Sequence, residues 1–100
     1  MKNDIFNQYV ERIIELFEIT REELFSKTKK REAVDARYLL YYLCHKRPMT
    51  LSYIQRFMKA NGYEIQHSSV IHGIKTTAKR VKSDSDYSQV VKQMEKAVFI

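Results

Sequence analysis

Residues 50–82 read TLSYIQRFMKANGYEIQHSSVIHGIKTTAKRVK, and this stretch decides the fold. Thr50 carries a hydroxyl suited to capping a helix start. Leu51, Ile54, Phe57 and Met58 then recur at three- and four-residue steps, which predicts a helix over 51–60 with those four buried. Asn61-Gly62 ends it, because glycine suits the left-handed terminating position. A short turn from Tyr63 to Gln66 leads into a second helix from about His67 to Lys82. On a wheel of ~100° per residue, Val70, Ile71, Ile74, Ala78 and Val81 share one arc and are expected to pack. Ser68, His72, Lys75 and Lys79 face largely away from it. Two short helices around a glycine-containing turn, the second of them basic, have the sequence shape of a helix-turn-helix. Gly73 within the second helix costs ~1 kcal/mol relative to alanine, and a close helix–helix crossing would account for it. His67 points towards the apolar side of a regular wheel, as a cap or a core-edge histidine.

The remaining chain supplies helices for this pair to rest on. Asp35 to Lys46 is apolar nearly all round, from Tyr38 through Cys44 without a break. Such a helix is the one its neighbours pack upon, and Pro48 marks its end. Lys27-Thr28-Lys29-Lys30-Arg31 holds four charges in five residues and no apolar member, so it reads as an exposed basic loop. Thr20-Arg21-Glu22-Glu23 matches a capping box opening a short helix that buries Leu24 and Phe25. Asp4 to Phe17 and Asp86 to about Ala97 complete a set of about six helices. One hundred residues suffice for one domain, 1–100, with one core. Only two glycines and one proline are present, which argues against an all-β architecture.

Charge narrows the partner. The net is +6, yet residues 1–25 carry −3, residues 26–82 carry +10 and residues 83–100 carry −1. A basic centre of this kind is a footprint for a polyanion, nucleic acid first. A single cysteine excludes an internal disulfide. There is no leader-like apolar segment and no apolar run of membrane-spanning length. The expectation is therefore a cytoplasmic, nucleoid-associated protein with no membrane partner. No glycine-rich phosphate loop is present, and Cys44 sits in the all-apolar helix. His67 and His72 are five apart, which suits no helical zinc motif. Neither catalysis, a cofactor nor a metal is expected.

The run from about Ile5 to Ala97 resembles the DNA-binding C-terminal domain of the bacterial replication initiator DnaA. Leu24-Phe25-Ser26-Lys27-Thr28-Lys29-Lys30-Arg31 is similar to the family's DLLSKRRSR-type loop, and Ala33 to Leu43 to its RPRQ-containing helix. Arg37 falls on the family's arginine, and Tyr38 stands where glutamine is usual. Thr50 to Ile54 resembles TSLPEIG. His67-Ser68-Ser69-Val70-Ile71-His72 resembles DHTTVLHA, the most specific match, keeping both histidines and both hydroxyls in register. The resemblance implies a Trp-repressor-like helix-turn-helix that binds double-stranded DNA at a DnaA box. The second helix would lie in the major groove and the basic loop in the adjacent minor groove. It implies base or phosphate contacts for His67, Ser68 and Ser69, minor-groove contacts for Lys29 and Arg31, and a phosphate for Arg37. His72 would lie near the DNA face or support it.

Two departures bear on specificity. The family's FGGRDH turn is replaced by residues 57–67, about five residues longer. The acidic residue before the first histidine is Gln66, and glutamine pairs with adenine where a carboxylate accepts from cytosine. A site different from a DnaA box is expected. With the family's ATPase absent, the chain is expected to mark a site, as a replication or transcription accessory factor, while another protein acts there. The candidate DNA-contacting set is Lys27, Lys29, Lys30, Arg31, Arg37, Gln66, His67, Ser68, Ser69, His72, Lys75 and Lys79. The alternative is a protein-interaction module on the same scaffold, which seven tyrosines would suit. The basic loop separates the two readings, since a phosphate backbone needs it and a protein partner in general does not. Sequence leaves the oligomeric state open.

Overall fold

The computed structural model describes residues 2–98. Among them are six helices and no strand: α1 Lys2–Phe17, α2 Arg21–Leu24, α3 Arg31–Lys46, α4 Leu51–Ala60, α5 His67–Ser83 and α6 Ser85–Ala97. None is long and apolar enough to cross a membrane. The all-α expectation and each of the helices read from the sequence are present.

α3 is the axis of the fold, with α1, α2, α4 and α5 packed on it. Its Ala33, Ala36, Leu39, Leu40, Tyr41, Leu43 and Cys44 are all buried. Burial pushes the Cys44 thiol above its ordinary range, so it is an inert packing group. Arg47, just past the helix, donates from Nε to the Tyr9 hydroxyl at 3.0 Å and from Nη2 to the Val98 carbonyl at 2.9 Å. One side chain thereby ties the end of α3 to both ends of the chain. Burial raises the Tyr9 phenol pKa, and the Arg47 contact opposes that rise.

Local signals explain most boundaries. The capping box is formed: the Thr20 hydroxyl accepts from the Glu23 amide at 3.0 Å, and the Thr20 amide donates back to the Glu23 carboxylate. That amide holds the Glu23 carboxyl below its ordinary value. Thr50 and Asp84 cap α4 and α6 by accepting from the amides of Tyr53 and Tyr87. Glu18, at φ 53°, takes the left-handed position that ends α1, with its own amide on Glu15 and that of Ile19 on Ile14.

The structure differs from the sequence reading at several points. In α4 only Ile54 and Met58 are buried, while Leu51 and Phe57 are half-buried. His67 is exposed, and two larger differences concern α3 and α5. α3 begins at Arg31 rather than Asp35, so the basic run contributes its last residue to a helix. Arg31 sits four residues before Asp35 at 3.9 Å, and the next turn buries Ala33 and Ala36. The like-charge repulsion that disfavours a helix is confined to residues 27–30, which stay irregular. Ile71 is 38% exposed rather than packed. The buried line of α5 runs through Val70, Gly73 and Thr77, leaving Ile71 at the edge.

Gly73 explains that line. A Cβ placed there would lie 2.8 Å from Tyr38 Cδ1 and 2.9 Å from Tyr41 Cδ2, closer than real methyl contacts. The absent side chain lets α5 rest directly on two tyrosine rings of α3. Gly73→Ala is therefore expected to destabilise the protein by about 1–3 kcal/mol through overpacking, although alanine is the better helix former. Urea and thermal denaturation would measure this, and a melting temperature at or above that of the parent would contradict it.

Candidate nucleic-acid interface

Two irregular segments meet at one face: residues 25–30 before α3, and residues 61–66 between α4 and α5. Each has an identifiable support. The first carries backbone carbonyls with no helix or strand to bond them, a condition proteins rarely leave unsatisfied. The Arg37 guanidinium supplies the donors. It reaches the carbonyls of Glu23, Leu24, Ser26 and Thr28 at 3.4, 3.1, 2.8 and 2.7 Å. Arg37 is only 4% exposed, so it faces inward to the loop. The place implied for it by the resemblance, on a phosphate, requires a guanidinium open to solvent; here its donors are committed to backbone.

In the second segment Gly62 sits at φ 88°, and the Tyr63 amide returns to the Met58 carbonyl at 3.0 Å. Gln55 Nε2 donates to the Ile65 carbonyl at 2.7 Å. Lys59 pairs with Glu64 at 3.7 Å, both exposed. This turn is therefore ordered by α4.

The two segments touch. Lys27 donates from Nζ to the Glu64 carbonyl, and its ammonium lies 4.0 Å from the centre of the Tyr63 ring. Arg37 lies over the same ring at 5.0 Å. Between them is a cleft of about 520 Å³. Lys27, Lys29 and Arg37 line one side, Gln66 and Ser69 another, and Tyr38, Tyr41 and Tyr63 also face it. Burial pushes the Tyr41 phenol well above its ordinary value, so it stays neutral.

Of the expected contact residues, Gln66, His67, Ser68 and Ser69 form the exposed start of α5. His72, Lys75 and Lys79 are exposed further along it, and the His72 ring meets Tyr38 edge-on at 5.7 Å. Lys29, Lys30 and Arg31 stand exposed beside the cleft, with Lys30 3.8 Å from Glu23. The first turn of α5 has no side-chain cap and no acidic residue, so the positive end of its dipole is open. The start of α3, at Lys30, also lacks a side-chain cap. α2, α4 and α6 all have one.

Sequence reasoning missed three parts of this face. Tyr63 and Glu64 were assigned only to a turn, and nothing local reveals that the turn reaches the loop. Ile71 was assigned to the core. Arg56 and Lys59 were counted in the basic segment without a role; with Ser52, Gln55, Glu64 and Ile65 they line a neighbouring cleft of about 570 Å³.

This geometry is that of a helix-turn-helix DNA-binding domain, in which a basic loop flanks the exposed start of the second helix. The family described as bacterial dnaA protein helix-turn-helix matches residues 7–77, and the chain belongs to that family. It also resembles a crystal structure titled as a DNA replication initiation factor, with 26% identity and a TM-score of 0.80. The match covers 95% of this chain and 28% of that one. A domain of this family is a DNA-binding module and not a catalytic one.

Replacing Arg37 tests its place under the loop. Arg37→Met would leave buried carbonyls unpaired, and a loss of at least about 2 kcal/mol in urea denaturation is expected. Arg37→Lys should recover less than half of it, because one ammonium cannot span four carbonyls. Full stability in either variant would refute the assignment.

Proposed function

We propose that this protein binds double-stranded DNA with sequence preference. The first turn of α5 enters the major groove and the basic loop follows the adjacent minor groove. The observation that carries the reading is the cleft face, where exposed lysines of the loop stand beside an uncapped, acid-free helix start. Backbone amides at such an end favour phosphate, and lysine and arginine read a narrow minor groove.

Gln66, His67, Ser68 and Ser69 are the base and phosphate contacts of the helix start. The amide of Gln66 suits adenine. His72, Lys75 and Lys79 continue the same face, and Ile71 adds an exposed apolar group suited to a thymine methyl. Lys29, Lys30 and Arg31 contact the minor groove and its phosphates. Arg37 and Lys27 shape the loop rather than read DNA. The partner class, a polyanion with a regular groove, argues for a nucleoid location and an accessory role in replication or transcription. A single reading head buries modest area, so clustered sites or a partner would raise its occupancy.

Fluorescence anisotropy against salt tests this. Duplex affinity should fall linearly on logarithmic axes as phosphate contacts release counterion. Replacing Lys29 and Arg31 together with alanine should weaken binding to all sequences and make the slope shallower by about 1–2, at ~0.9 per phosphate contact. Gln66→Ala or Ser68→Ala should instead change which sequences are preferred, by about 1–3 kcal/mol at the affected base pair. Absence of duplex binding at low salt would reject the reading.

A further inference from the structure

We propose that the long turn of the helix-turn-helix grips the basic loop through Tyr63, which acts as a positioning residue holding the two DNA-reading elements at a fixed separation. This rests on the loop being a DNA contact, as proposed above. Four observations converge on it. The Tyr63 ring takes a cation from each of two places, Lys27 at 4.0 Å from the loop and Arg37 at 5.0 Å from α3. Beside it, Lys27 donates to the Glu64 carbonyl, so the loop is bonded to the turn as well as stacked on it. The turn is held from behind by Gln55 on the Ile65 carbonyl at 2.7 Å. Its first residue, Asn61, accepts from Arg21 Nη2 at 3.0 Å, a tie to α2, the helix that precedes the loop.

These ties close a ring of contacts running from loop to turn to α4 and back through α2. A cation over an aromatic face is an attraction that survives partial exposure, and it has no need of a partner carboxylate. That matters at a face destined for a polyanion. The tyrosine ring holds two cations without adding to the negative charge of a face where Glu64 already lies beside Lys59 and Glu23 beside Lys30. Pre-ordering the loop removes the entropy that DNA would otherwise have to overcome in fixing it. It also transmits position: the loop cannot shift along the groove without moving residues 63–65, which lead directly into Gln66 and α5.

Amide hydrogen exchange on the free protein tests the grip without DNA. Two loop amides are bonded locally, Thr28 to the Ser26 hydroxyl and Lys30 to the Thr28 hydroxyl. In Tyr63→Ala both should exchange at least tenfold faster, while the amides of Leu40 and Leu43 keep their protection. Tyr63→Phe, which retains the aromatic face, should match the parent. Lys27→Met should behave as Tyr63→Ala, and it keeps the test valid if the alanine variant folds poorly. Unchanged loop exchange in both Tyr63→Ala and Lys27→Met would overturn the grip, as would a phenylalanine variant as loose as the alanine one. The second arm is selection from a random duplex library. Tyr63→Ala should lose preference at the base pairs on the loop side and keep it at those facing α5, with Tyr63→Phe restoring the full pattern. Uniform flattening across the site would reject a positioning role. If the parent binds no duplex, the DNA reading falls, and the exchange result still decides whether the turn holds the loop.

Discussion

The guanidinium of Arg37 is the constraint on which the basic face depends. A buried charge without partners is prohibitive, and its burial is sustained only by hydrogen bonds and nearby polarisable groups. Here the partners are four carbonyls of residues 23, 24, 26 and 28 and the ring of Tyr63. Turning those carbonyls inward fixes the course of the backbone. The charged side chains of Lys29, Lys30 and Arg31 then stand exposed. A loop that would otherwise be held apart by its own like charges is given one conformation by a further positive charge, because that charge addresses the backbone dipoles.

α3 acts as a ruler between the two candidate reading elements. Arg37 holds the loop, while its neighbour Tyr38 and the residue one turn on, Tyr41, receive Gly73 of α5. Loop and second helix are thus both referred to consecutive positions on one buried helix, with no flexible joint between them. Tyr38 also meets His72 edge-on, so the imidazole is oriented from below by the same helix. The distribution of caps follows the same division of labour. Thr20, Thr50 and Asp84 cap the starts of α2, α4 and α6, while the starts of α3 and α5 are left without a side-chain cap at the basic face.

Much of this was legible in the sequence where the signal is local. The Thr20–Glu23 capping box, the Thr50 cap, the Asn61-Gly62 stop and the apolar run of α3 each determine structure within a few residues. Gly73 was legible as a close crossing because a helix-interior glycine has a known cost that something must offset. What escaped were relations between distant segments. The wheel put Ile71 in the packing arc, but a wheel knows nothing of the neighbour's width, and two tyrosine rings occupy the line through Val70, Gly73 and Thr77. Arg37 was placed on a phosphate only by the family resemblance, and nothing local in the sequence reveals that its guanidinium is buried. Lys27 and Tyr63 are 36 positions apart, and no periodicity connects them.

The long turn shows what such relations do to a family scaffold. Extra residues between the two helices would ordinarily loosen the placement of the second, since each added residue brings backbone freedom. In this chain the turn is bound on both sides, by Gln55 and Lys59 of α4 and by Lys27 of the loop. Loop and turn are therefore tied to each other and to α4. The tie uses Lys27 as a structural cation, while Lys29, Lys30 and Arg31 stand exposed beside it. At its end stands Gln66, whose side chain makes no capping bond and whose carbonyl starts α5 by accepting from Ser69 and Val70. Gln66, where the resemblance would put an acidic residue, is thus held at the lip of the cleft with its amide uncommitted to the helix. On the proposed reading, the course of the turn and the side chain of Gln66 meet at one position, so a sequence preference would depend on the turn as much as on the helix that follows it.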